Sequence, residues 1–167
     1  AMRISKTIFV TIFVLTASVG VVFGLIASLQ DELGFKNGIL GLIAAAAFFS
    51  AVLAQLFLAP LADRGFTKPL MITAVSVAAF GCLWFALASS ALELIFARIL
   101  TGLGIGAFAP AARAVVANAD TNRSGERLGK LAAVETSGFV AGPVIGALIN
   151  EFWGLKAPFL VFSFVLL

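Results

Sequence analysis

The sequence contains no histidine, no tyrosine and a single cysteine, Cys82. These absences exclude a histidine metal site, a Ser-His-Asp triad, a Cys-His dyad, a cysteine zinc cluster and an internal disulfide. Most hydrolytic and metal-dependent active sites go with them, and no catalytic residue is assigned. Charge is scarce as well. Only 11% of the 167 residues are Asp, Glu, Lys or Arg, while 62% are hydrophobic, against roughly one-quarter and one-half in a soluble domain. A soluble globular domain is therefore excluded. The net charge of +3 does not mark a nucleic-acid surface, because the eleven cations are dispersed between apolar runs; no nucleic-acid partner, cofactor or metal is expected.

What the sequence has in abundance is apolar runs of membrane length. A bilayer core of about 30 Å needs about 20 helical residues, since lipid offers no partner for bare backbone. Spans are predicted at 7–29, 38–62, 70–92, 93–117 and 131–150, with an incomplete sixth at 158–167, whose ten residues cover about half a membrane. The chain therefore reads as a fragment cut in mid-span. Arg3 and Lys6 before the first run give it the outline of a signal peptide, but its uncharged stretch is too long and more spans follow at once.

Sidedness follows from the cations. With the N-terminus in the cytoplasm, inner segments hold Arg3, Lys6, Arg64, Lys68, Arg113, Arg123, Arg127 and Lys130, and outer loops hold only Lys36 and Lys156. The polar segment 118–130 reads as a cytoplasmic loop that divides the spans into two triplets. An odd number of spans inverts the second triplet relative to the first, a plan common in secondary transporters. Gly20-x-x-x-Gly24 in the first span and Gly102-x-x-x-Gly106 in the fourth are its faint sequence echoes.

Gly102-Leu-Gly104-Ile-Gly106-Ala107 has the outline of a dinucleotide fingerprint, but its glycines lie in a long apolar helix and not between a strand and a helix. Packing is the better reading, because glycine lets helices approach closely in lipid. Arg98, within the same span, is expensive to bury and calls for a wet cavity or a partner, unless it snorkels to the outer headgroups. In the fifth span, Gly129-x8-Gly138-x3-Gly142-Pro143-x2-Gly146-Ala147 places three glycines on one face and a proline that bends the helix. Glu135, an intramembrane acid, is a candidate for proton or ion handling, or for pairing with a cation near the inner end.

These residues resemble the major facilitator superfamily. The inner turn from Ala59 to Lys68 resembles its loop signature G-x-L-A-D-R-x-G-R-K, with Leu61, Ala62, Asp63, Arg64 and Lys68 in place and Ala59, Phe66 and Thr67 departing from it. The stretch from Arg98 resembles the fourth-helix pattern R-x-x-q-G-x-G, with Thr101 where glutamine is frequent. The fifth span resembles the antiporter motif G-x8-G-x3-G-P-x2-G-G, with Ala147 replacing the last glycine.

The resemblance implies an all-α integral membrane fold: the N-terminal six-helix bundle of a carrier whose second half is missing, working by alternating access. It makes Asp63 the acid of a cytoplasmic lock with Arg64 and Lys68 as its cations, and places spans one, four and five around a cavity with span three towards lipid. The polar inventory of that cavity is Thr11, Thr16, Ser18, Gln30, Gln55, Arg98, Thr101 and Glu135. So sparse and Phe-rich a lining suits an amphipathic substrate better than a sugar. The expected activity is proton-coupled export of small amphipathic compounds across the cell membrane; a nutrient symporter and a non-transporting membrane subunit remain as alternatives.

Overall fold

The computed structural model describes residues 2–167, with side chains from Lys6 onward. Among the described residues the chain is all helical. Helix α1 (Met2–Gly20) tightens into a 3-10 turn (Val21–Leu25) and resumes as α2 (Ile26–Leu33), which together form span one. Spans two to six are α3 (Asn37–Asp63), α4 (Thr67–Leu87), α5 (Ala91–Asn118), α6 (Ser124–Trp153) and the short α7 (Ala157–Leu166). Five of the six spans are long and apolar enough to cross a membrane, α7 being the exception. Phe49, Phe57, Phe80 and Phe164 point outward with more than half their surface exposed, as lipid permits and water does not. The chain is a multi-pass membrane protein.

Three boundaries differ from the sequence expectation. Span one is not one continuous helix from 7 to 29, since its backbone tightens at Val21–Leu25. Helix α4 ends at Leu87 rather than Leu92, because Ser90 begins the next helix with a capping box. The Glu93 N–H donates to Ser90 Oγ at 3.3 Å, and the Glu93 carboxylate accepts the Ser89 and Ser90 N–H groups at 3.0 and 3.1 Å. The polar segment 118–130 is mostly helix: α6 starts at Ser124, leaving only residues 119–123 between α5 and α6. The charged composition there suggests a loop, yet Lys130 donates to Glu126 one turn earlier at 2.6 Å, a pairing that supports a solvated helix end.

Packing pairs the two triplets with each other instead of keeping them apart. Helix α5 is wedged between α3 and α4, span one lies along α6, and α7 leans on α4. Contact of span one with span five and of span four with span two are counterparts under exchange of the triplets, as the inverted plan requires. The glycine pairs noticed as faint echoes lie at these two contacts: Gly20 and Gly24 meet α6, and Gly102 and Gly106 meet α3.

Candidate functional site

Helix α5 carries the first group of site residues, and its alternating glycines have a steric reason. Gly102 faces Ser50 and the Ala47 carbonyl of α3, and Gly106 faces Ala51 and Ala54 of the same helix. Gly104 faces the other way, where a methyl group would stand 2.6 Å from Ala78 Cβ and 2.7 Å from the Ala74 carbonyl of α4. Spacing of four puts two glycines on one side, and the glycine between them serves the other. These residues are occupied by helix packing and form no phosphate-binding loop.

Arg98, about two turns from the start of α5, is only 1% exposed. It does not reach the headgroups. Its Nη2 donates to the Val19 carbonyl at 2.9 Å, its Nη1 to the Ser18 carbonyl at 3.4 Å, and its Nε to the Ile43 carbonyl of α3 at 3.3 Å. A guanidinium suits this task because its donors fan out in a plane and can reach several carbonyls at once. Ser18 and Val19 immediately precede the 3-10 turn of span one, so Arg98 holds carbonyls where the regular helix breaks. Three expected cavity-lining hydroxyls are also inward and spent: Thr16, Ser18 and Thr101 are buried and donate to backbone carbonyls of their own helices.

Span five meets span one through a reciprocal zipper. Gly138, Gly142 and Gly146 face Phe13, Ala17 and Val21, while Gly20 and Gly24 face Phe139 and Pro143. Pro143 has no N–H to give to the Phe139 carbonyl four residues back. That freed carbonyl is the atom a methyl group on Gly20 would strike at 2.5 Å, so the absence of a side chain at Gly20 lets span one close over it. A methyl group on Gly129, the first glycine of the motif, would meet nothing within 4 Å, so this residue takes no part in the contact.

Glu135 lies nearer the start of α6. Both its oxygens accept from Arg113 Nη2, at 3.1 and 3.0 Å, tying α6 to α5. Arg113 is 45% exposed and Glu135 25%, so the pair sits in an open position. The partner of the intramembrane acid is therefore a residue of span four and not of a cytoplasmic loop.

At the same end of the bundle, the turn between α3 and α4 is closed by Gly65 at φ 89°, a conformation that residues with a Cβ avoid. Asp63 borders a cavity of about 510 Å³ together with Gly65, Thr67, Asn118 and Arg127. Arg64 and Lys68 are exposed and form no ion pair with Asp63 among the described residues. The cation that shares the cavity with Asp63 is Arg127, which lies in helix α6 and not in the loop its charged surroundings suggest. In the sequence Arg113 by itself speaks only to sidedness. Depth matching finds the pair, since Arg113 and Glu135 each lie four residues, about one turn, from the inner ends of the expected spans 93–117 and 131–150.

Comparison with known proteins accords with this geometry. The family model of the Major Facilitator Superfamily matches residues 8–167. Multidrug resistance protein MdtG of Citrobacter koseri is 33% identical over 128 residues, which cover 76% of this chain and 31% of that protein. MdtG of Salmonella arizonae is 32% identical over 127 residues, covering 75% of this chain and 31% of that protein. An uncharacterized MFS-type transporter of Methanocaldococcus jannaschii, MJ1560, is 28% identical over 167 residues, covering 98% of this chain and 43% of that protein. The chain thus spans less than half the length of these relatives.

Proposed function

We propose that this chain, which belongs to the major facilitator superfamily, is the N-terminal bundle of a secondary transporter that exports small amphipathic compounds from the cell in exchange for protons. The bundle sits in the cell membrane with its N-terminus in the cytoplasm, and a second bundle completes the pathway. The observation that carries this reading is the reciprocal contact of Gly138, Gly142 and Gly146 with span one, beside Pro143. It gives the antiporter-like motif a mechanical role. Two smooth helices, one bent and one broken, can shift against each other without side chains interlocking. The names of the two MdtG relatives, as multidrug resistance proteins, favour export over uptake.

In this reading Glu135 carries the proton. Deprotonated, it holds Arg113 and couples α5 to α6, as in the present conformation. Protonation on the outward-facing side removes its charge, weakens its hold on Arg113 and frees α6 to move relative to α5; release of the proton to the cytoplasm restores the pair. Asp63 and Arg127 border the cytoplasmic cavity between the turn and the bases of α5 and α6, where a lock on inward opening would act.

The test is substrate movement in inverted membrane vesicles carrying the full-length gene product. An imposed pH gradient should drive uptake of amphipathic dyes into inverted vesicles, and Gly142→Leu or Pro143→Ala should abolish it. Accumulation in the opposite direction would identify a symporter. Unaltered transport in both variants would overturn the role of the zipper.

A further inference from the structure

Phe23, Phe48 and Phe139 come from the 3-10 turn of span one, from α3 and from α6, yet their rings form a triangle. The centroids are 5.9 Å apart for Phe23 and Phe48, 5.8 Å for Phe23 and Phe139, and 5.7 Å for Phe48 and Phe139. Helices α3 and α6 share almost no backbone contact, so the Phe48 and Phe139 rings bridge the two helices, with Phe23 beside both. No pair is stacked: the interplanar angles are 49°, 68° and 75°. Phe23 is 39% and Phe48 41% exposed. Ring faces are therefore left open to a further ring, which aromatic pairs favour in offset or edge-on geometry.

Glu135 lies one helical turn before Phe139, about 6 Å along the axis of α6. Its partner Arg113 spends only Nη2 on the carboxylate. The Nε and Nη1 donors form no hydrogen bond among the described residues, and the side chain is nearly half exposed. The carboxylate is the less exposed partner, 25% against 45% for Arg113, so the capacity the pair offers outward is chiefly the Nε and Nη1 donors. An anionic group, which a guanidinium edge binds as a fork, complements them.

The geometry points to a binding site for a small aromatic acid, with its ring against Phe23, Phe48 and Phe139 and its anionic group on the open side of Arg113. The proposal rests on the transport reading for its purpose, since it names the substrate class of that carrier. Binding and transport are separately measurable.

The test uses the intact chain in nanodiscs of neutral lipid, with 2-naphthoate as probe and calorimetry as readout. Saturable binding is expected. Arg113→Gln should weaken 2-naphthoate by about tenfold to a hundredfold, the range for a lost charge-assisted bond, while leaving the neutral naphthalene-2-methanol unchanged. Unchanged binding of the neutral probe also shows that this variant is folded. Phe48→Leu should weaken both probes by about threefold to tenfold. Decanoate, equal in charge but without a ring, should bind more weakly than 2-naphthoate, and anionic phosphatidylglycerol in the disc should not displace the probe.

The proposal is overturned by tighter binding of 2-naphthylmethylammonium, by equal binding of decanoate, by displacement by anionic lipid, or by no saturable binding at all. If 2-naphthoate binds as described but no pH gradient moves it through the full-length carrier, the site stands and the transport reading fails.

Discussion

The Arg98 guanidinium donates to the Val19 carbonyl at 2.9 Å across two helices, at the place where span one leaves the regular α-helix. The ligands of this buried cation are carbonyl oxygens of Ser18, Val19 and Ile43, so three spans meet on one side chain. In lipid, where no water replaces a lost donor, such a contact determines whether the break in span one is tolerated.

Arg98→Gln is therefore expected to destabilise the bundle by about 2 kcal/mol or more, since a hydrogen bond from a charged donor contributes about 1.5–3 kcal/mol and Arg98 makes such bonds to two neighbouring spans. Cys82 provides the readout, being the sole cysteine and buried. Labelling with a thiol-reactive dye during heating should begin at a clearly lower temperature in the variant, and coincident melting curves would refute the role.

The glycines of span five should separate into two kinds. Gly142→Ala drives a methyl group into the Ala17 backbone and should cost about 1–3 kcal/mol, as overpacking does. Gly129→Ala meets nothing within 4 Å and should be neutral or stabilising by up to about 1 kcal/mol, because alanine is the better helix former. Thermal scans of both variants check the contrast.

Glu135→Gln should change stability little, about 1 kcal/mol or less, because the pair with Arg113 is partly exposed. Its expected effect is on coupling. Efflux by the full-length carrier should lose its dependence on the pH gradient while downhill substrate exchange continues. A variant that still responds fully to the gradient would remove Glu135 from the proton pathway.

Sidedness is checked by single-cysteine labelling in a Cys82→Ser background. An impermeant maleimide should modify Lys68→Cys only in inverted vesicles and Lys36→Cys only in right-side-out ones. The reverse pattern would invert the topology and, with it, the direction assigned to transport.

The membrane class, the number of spans and the small-residue faces of α5 and α6 were legible in the sequence, because each depends on local quantities. Run length against bilayer thickness reveals a span, and spacing of four residues reveals a face. The break in span one, the capping box at Ser90 and the helical course of 124–130 depart from the sequence expectation. The capping box is legible in Ser90-x-x-Glu93 but is masked by the apolar run around it, whereas the helical charged segment imitates a loop by composition alone.

Partnership was decided only by the tertiary structure. Nothing in the order of residues ties Arg98 to Ser18 and Val19, 80 and 79 positions away, or brings Phe23, Phe48 and Phe139 into one triangle. Nor does it give Glu135 to Arg113 rather than to a cation of a loop. Periodicity reports which side of a helix is smooth, apolar or charged, but which helix lies against that side depends on how all six pack together. In this chain the glycines make that choice: by removing side chains from α5 and α6, they let backbones approach closely enough for a buried arginine to reach carbonyls of two neighbouring spans.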